Sequence, residues 1–344
     1  MTVTRFWRMG ATPVPGTEIG RLARAFEDAG WDGIALGEAH GLLPDPYVLL
    51  GVAARETTTL GIGTSVAVPL RHPFLAAGAM ATVQALAGGR ARFVVGRGDG
   101  AMKVMQLEPM PVAEYEEYLR ALIGYLRREE VEYDGALISM ARLDELDPSM
   151  DLAPPEISVA ATGARMIAAA ARWADGVDFS VGADLARIRS SVEIARAAAE
   201  AAGRDPDSLA LGCYVQVAVT DGDPDEALEA VRGLIVTHHR FQENFTSRAA
   251  AVMEAVLRAP RGGVTRTGRP GELAFYPREA LDPEQMLEFG IIGTVEECAE
   301  RLRAIVDLGL ANVYIGTRAV GVDIDEQNTL RIGRELLPLV RAAD

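Results

Sequence analysis

Short apolar runs alternate along this chain with longer segments whose apolar positions recur at helical spacing. The apolar runs predict strands at Phe6–Thr12, Gly33–Glu38, Leu60–Val68, Ala91–Gly96, Glu156–Thr162, Gly176–Val181, Leu209–Val219 and Asn312–Thr317. The periodic segments predict helices at Ile19–Ala29, Pro46–Glu56, Phe74–Leu86, Val112–Arg128, Arg165–Ala174, Leu185–Ala202, Pro224–Val236 and Glu326–Arg341. In Val112–Arg128, for example, Tyr115, Leu119, Leu122 and Leu126 share one face. Strands that are apolar on both faces belong to a parallel sheet covered by helices. Eight such repeats in 344 residues predict an α/β fold, a (β/α)8 TIM barrel with insertions. A doubly wound open sheet is the second choice. It lacks the GxGxxG turn after its first strand, which leads instead into ATPVPG.

Two segments interrupt the repeat. Residues 129–154 contain VEYDGALISM, a hairpin with Asp134-Gly135 at its turn. Residues 237–292 are rich in Gly, Pro and Arg and read as an excursion, of the kind that covers an active site or meets a second subunit. One domain over 1–344 carries both insertions.

Composition narrows the function. Hydrophobic residues make up 49% of the chain, enough for a large core. The net charge of −15 opposes binding to nucleic acid or to an anionic membrane surface. The two cysteines, Cys213 and Cys298, form no disulfide framework and read as buried thiols in a reducing compartment. MTVTRFWRMG has no signal-peptide pattern, and no apolar run is long enough for a membrane span. A cytoplasmic protein is expected. Lys103 is the single lysine; beyond a glycine turn it reads as a surface residue better than as a Schiff-base former.

The candidate chemistry sits at strand ends, where parallel α/β proteins place ligands. TSVAVPLRHP breaks a strand before Pro69 and Pro73; a plain strand end and a distortion toward a flat ligand both explain it. GRGDGAMK brings Gly96, Gly98 and Gly100, which permit close backbone approach, with Asp99 as a polar group or a turn residue. AATGARM leads a strand into a helix whose first amides suit a phosphate, with Thr162 as binder or cap. GEAH places Glu38 and His40 at the mouth, and His72 is a second mouth histidine. A histidine there can shuttle a proton or bond a ring, or be an ordinary loop residue. Nothing in the spacing favours a metal.

Taken together, RHPFLAAGAMATVQALAGGRARFVVGRGDGAM and PPEISVAATGARMIAAAARWADGVDFS resemble the bacterial-luciferase-like superfamily. They are most similar to its coenzyme F420-dependent branch, typified by methylenetetrahydromethanopterin reductase. GTVEECAERLRAIVDLGLANVYI resembles that family's C-terminal helix and last strand. The resemblance implies a flavin or deazaflavin in the barrel mouth and hydride transfer to or from a small organic substrate. It places a non-prolyl cis peptide at Ser65-Val66 behind the ring. It places cofactor binding at Ser65, Val66, Gly98, Asp99, Ala161, Thr162 and Gly163. Glu38, His40 and Asp99 are the candidates for the proton and for ring hydrogen bonds. Glu38-Ala39-His40 departs from the Asp-His pair of many relatives. The implied cofactor is F420, with FMN as the alternative. The alternatives in function are an FMN-dependent two-component monooxygenase and a non-catalytic F420 or flavin binder. A homodimer is the implied assembly.

Overall fold

The computed structural model describes residues 3–10, 17–38, 43–98, 102, 105, 107–140, 145, 147–225, 227–228, 231, 235, 265–266, 273–274, 283–317 and 322–342. Eight strands form the ring: β1 (Arg5–Gly10), β2 (Gly33–Leu36), β3 (Gly61–Thr64), β4 (Ala91–Val95), β5 (Glu156–Ala161), β6 (Gly176–Phe179), β7 (Ala210–Val219) and β8 (Asn312–Gly316). Each pairs in parallel with the next, and β8 pairs with β1 through Arg5↔Asn312 to Met9↔Gly316. The ring is therefore closed, which rules out the open sheet. Helices α1 (Ile19–Asp28), α2 (Pro46–Glu56), α3 (Pro73–Leu86), α4 (Val112–Leu126), α5 (Ala164–Trp173), α6 (Leu185–Ala201) and α7 (Val295–Val306) cover the outside. Outward strand residues such as Phe6, Ile34, Phe93, Val159 and Val313 bury against them in one continuous core.

Several boundaries differ from expectation for identifiable reasons. β3 stops at Thr64, short of Val68. The Ser65-Val66 peptide is cis, and the chain returns to the sheet only as the bridge Ala67↔Val95. The C-terminal helix is not continuous: Val322–Arg331 gives way to a π-turn at Ile332–Leu336 before Leu337–Arg341. Trp31 explains this, because its Nε1 donates to the Thr329 carbonyl at 3.0 Å and takes that acceptor from the helix. Gly333 leaves room for the ring; a Cβ there would lie 2.8 Å from Trp31 Nε1. The 237–292 excursion also ends earlier than expected. Residues Pro283–Phe289 are helical, and Gly290–Gly293 is a strand on β7. Gln216 pairs with both Gly290 and Gly316, so this strand lies opposite β8 and prolongs the line of β6. The hairpin is present as expected, with Val131–Tyr133 and Ala136–Ile138 joined through Asp134 and Gly135 at φ 51° and 74°.

Side chains fill the lower barrel. Trp7, Tyr314 and Tyr214 stack with centroid separations of 5.9 and 4.7 Å. Trp7 occupies volume that β2 and β3 vacate: a Cβ on Gly33 would overlap its ring, and one on Gly61 would lie 2.7 Å from it. Trp7 Nε1 donates to Asn312 Oδ1 at 2.9 Å. Beneath the stack Arg92 is fully buried; its Nε donates to Tyr314 Oη at 2.6 Å and its guanidinium pairs with Glu156 and Asp178. Burial pushes the Asp178 carboxyl above its ordinary range, against the pull of Arg92. Burial also acts upward on Glu156, but Arg92 and Arg5 outweigh it and the net shift is downward.

Candidate active site at the barrel mouth

The two irregular strand ends lie side by side. Ala67 N donates to Val94 O at 3.0 Å, and Gly96 N donates to Ala67 O at 2.9 Å. A Cβ on Gly96 would sit 3.1 Å from Val66 Cγ2, and one on Gly98 would sit 2.9 Å from Val68 Cβ. Gly98 also adopts φ +80°, so both its conformation and its surroundings call for glycine. Val66 and Gly98 are half-buried, so they face a partly open space above Val94 and Ala160. The result is a smooth wall with small side chains, suited to a flat ring.

Glu38 is wholly buried and its carboxylate is engaged. Its Oε2 accepts from Val68 N at 2.9 Å, its Oε1 accepts from Arg71 Nε at 3.0 Å, and its own N–H donates to Val66 O at 3.1 Å. Arg71 also pairs with Asp45 and lies 4.7 Å over the Tyr47 ring. Asp45 in turn caps α2, accepting from Tyr47 N and Val48 N. This clamp fixes the segment following the cis bond. Glu38 was expected to serve the proton or the hydrogen bonds of the ring; in the structure both its carboxylate oxygens accept bonds that hold this segment. Arg71, Asp45 and Tyr47 were not singled out from the sequence; the Arg of RHP was the one available signal.

The third element is the start of α5. Its N-cap is Gly163 rather than Thr162, and no side chain caps the helix. Thr162 instead donates to Ser180 O at 3.3 Å. A Cβ placed on Gly163 would meet nothing within 4 Å. Open space thus stands before uncapped amides, a geometry that accepts an anion. Ala161 turns its side chain to the outer core, so only its backbone can face the site. Arg165, in the first turn of α5, has no ion pair among the described residues and supplies positive charge near these amides in an acidic protein.

His72 is not part of this cluster. It caps α3, its Nδ1 accepting from Phe74 N at 3.2 Å, and its ring meets Tyr133 of the hairpin edge-on at 5.2 Å. His40, Asp99, Gly100 and Lys103 lie outside the described residues. Both cysteines are buried, and burial pushes the Cys298 thiol up to about 11, so neither is an activated nucleophile. Among the described residues no group of three His, Cys, Asp or Glu side chains is placed to hold a metal. None of the described helices is long and apolar enough to cross a membrane.

The model of the luciferase-like monooxygenase family matches residues 1–312. The chain belongs to that family. This luciferase-like protein is an enzyme, and several relatives match it over more than nine-tenths of its length. The 5,10-methylenetetrahydromethanopterin reductase of Methanolobus tindarius is 25% identical over 335 residues, covering 94% of this chain and 96% of the relative. The F420-dependent glucose-6-phosphate dehydrogenase of Beutenbergia cavernae is 31% identical over 336 residues, covering 92% and 91%. The structure of the coenzyme F420 dependent tetrahydromethanopterin reductase from Methanopyrus kandleri superposes with a TM-score of 0.73 at 20% identity, covering 97% and 99%. At that identity the last comparison establishes the barrel and no more.

Proposed function

We propose that this luciferase-like enzyme is an F420-dependent oxidoreductase that moves a hydride between the deazaflavin and a small organic substrate. The observation that carries the reading is the joint wall of Val66, Val68, Gly96 and Gly98, where side chains are absent or small on the side a planar ring would take. The uncapped start of α5 at Gly163 fits the cofactor's phosphate. F420-dependent relatives that match the chain almost end to end support the same choice. Ser65, Val66 and Gly98 would flank the ring, and the backbone of Ala161, Thr162 and Gly163 would meet the anion.

Bound F420 supplies a two-electron hydride carrier and requires no oxygen chemistry. The chain supplies the rest. The β3–β4 wall orients the ring and shields one face from water. Glu38, through Arg71 and Val68, holds that wall in place. The proton is assigned to Asp99, directly after Gly98, or to His40, two positions beyond Glu38. The protein acts as a cytoplasmic homodimer in this reading. Its two unpaired buried thiols suit a reducing compartment. A stripe of exposed apolar residues on the adjacent helices α2 and α3, formed by Val48, Val52, Leu75 and Leu86, offers a face for a second copy.

Titrating the purified protein with F420 and with FMN, and following quenching of their fluorescence, tests the reading. Micromolar F420 binding with negligible FMN binding supports it; tight FMN binding without F420 binding replaces it with the monooxygenase alternative.

A further inference from the structure

The segment that leads from the ring wall to α3 is held at both of its ends. At the wall, Val68 N donates to Glu38 Oε2 at 2.9 Å. Leu70 N turns back to Val68 O at 2.8 Å, and Arg71 Nε donates to Glu38 Oε1 at 3.0 Å. The next residue, His72, is the N-cap of α3. Pro69 and Pro73 restrict the backbone on either side of residues 70–72, so little slack separates the clamp from the cap.

An imidazole is an uncommon cap, since Ser, Thr, Asp and Asn are the ordinary choices. His72 Nδ1 accepts from Phe74 N at 3.2 Å. A ring nitrogen that accepts an N–H carries no proton, so this cap requires a neutral imidazole with its proton on Nε2. His72 is exposed to solvent, and imidazoles change charge within the physiological range. Protonation removes the accepting lone pair and sets a positive charge at the positive end of α3. The first turn of α3 has no acidic residue to offset that charge.

The hairpin gives a protonated ring somewhere else to go. The His72 ring meets Tyr133 edge-on at 5.2 Å. Burial pushes the Tyr133 phenol up, and the carboxylates of Asp134, Glu117 and Glu114 add to that push, so Tyr133 stays neutral. Those carboxylates, from the hairpin turn and α4, supply the negative charge on this side of His72. Arg71 is the cation of its own segment, and Glu38 and Asp45 already engage it. A protonated ring is therefore drawn from Phe74 N toward the hairpin.

We infer that His72 is a positioning residue for the ring wall and a pH switch on it: neutral, it caps α3 and keeps Arg71 on Glu38; protonated, it leaves the cap and loosens Arg71 and Val68. It touches neither ring nor substrate and acts through Arg71. The inference takes its ligand from the F420 reading above. The sign follows from the neutral cap. The closed wall is present above the imidazole range and is lost as pH falls through it.

The test compares the parent with His72→Asn, which keeps a cap acceptor and does not titrate. Amide exchange of the cofactor-free proteins, corrected for intrinsic rates, is read at about pH 8 and about pH 5.5. At the lower pH the parent should lose about fivefold protection at both Phe74 and Val68 relative to His72→Asn. Its F420 affinity should fall by about the same factor relative to the variant, a ratio that cancels the cofactor's own titration. A cap of purely local purpose would move Phe74 alone and leave Val68 and F420 affinity unchanged, which overturns the inference. Parallel pH profiles in the two proteins overturn it as well. His72→Ala, capped at neither pH, should match the low-pH parent throughout; parent-like F420 affinity in that variant at about pH 8 is a third refutation. A parent protein that binds no F420 at either pH sinks the deazaflavin reading instead, and exchange at Val68 then judges His72.

Discussion

Below the Trp7–Tyr314–Tyr214 stack the barrel is crowded, and above it many of the described wall residues are small. The lower half contains a tryptophan set against glycines and an arginine that reaches two carboxylates and a tyrosine hydroxyl. The upper half presents Gly96, Gly98, Ala160 and Gly316 on its walls and a helix start that no side chain among the described residues caps. The same strands build both halves. Large inward side chains at one end give stability, and their removal at the other end makes volume for ligands. Glycine serves both ends, below by admitting Trp7 and above by leaving space for a bound molecule.

The contrast predicts that lower-half changes act on folding and upper-half changes act on binding. Trp7→Ala should have the largest effect, costing about 3–5 kcal/mol in a denaturant titration, because it opens a cavity and strips Asn312 of its partner. Arg92→Met should cost about 3–5 kcal/mol at pH 7 by leaving the fully buried Asp178 without its cation and Glu156 with Arg5 alone. Its pH dependence follows from the shifts. In the parent Glu156 is held low, so its contribution is present above the ordinary carboxylate range and is lost as pH falls through its lowered value. Without Arg92 burial raises the Asp178 carboxyl unopposed, so it takes up a proton more readily folded than unfolded, while Glu156 keeps Arg5 and loses only part of its downward shift. The penalty of Arg92→Met should therefore shrink between pH 7 and pH 5; a constant penalty would show that the charges are not coupled.

Glu38→Gln crosses the comparison, since Glu38 is buried like the floor residues but holds the mouth wall. It should lower stability by roughly 1–3 kcal/mol and weaken F420 binding as well, so the two readouts move together. Gly163→Ala should move stability least, within about 0.5 kcal/mol, because the added methyl enters open space. The same methyl stands before the α5 amides, so F420 affinity should fall roughly tenfold. Unchanged F420 affinity in that variant would move the anion site away from α5.

Much of the fold was legible locally. The apolar runs located all eight ring strands, and Pro46–Glu56 was bounded to the residue. The Asp134-Gly135 turn announced its hairpin through residues that tolerate positive φ. The mouth was legible as two irregular strand ends, and family resemblance, not periodicity, put the cis bond at Ser65-Val66. The break in the last helix was not legible, because its cause is Trp31, some three hundred positions away in sequence. The strand Gly290–Gly293 was missed because its four residues read as the end of an irregular segment until β7 supplies their partner.

By itself the sequence determined period, order and class: eight apolar strands with helices between them, glycines at the strand ends and a family-specific arrangement of motifs. Those are local properties, set by side-chain spacing and backbone freedom. Tertiary structure decided partnership. Closure of the ring brings Trp7 to Asn312, Arg92 to Asp178 and Tyr214 to Ser65, pairs that no local pattern links. It also decided which polar groups find partners, engaging both oxygens of Glu38 and leaving that of Gln216 unmet among the described residues. Whether a buried polar atom is satisfied depends on what faces it across the barrel, and only the folded chain fixes that.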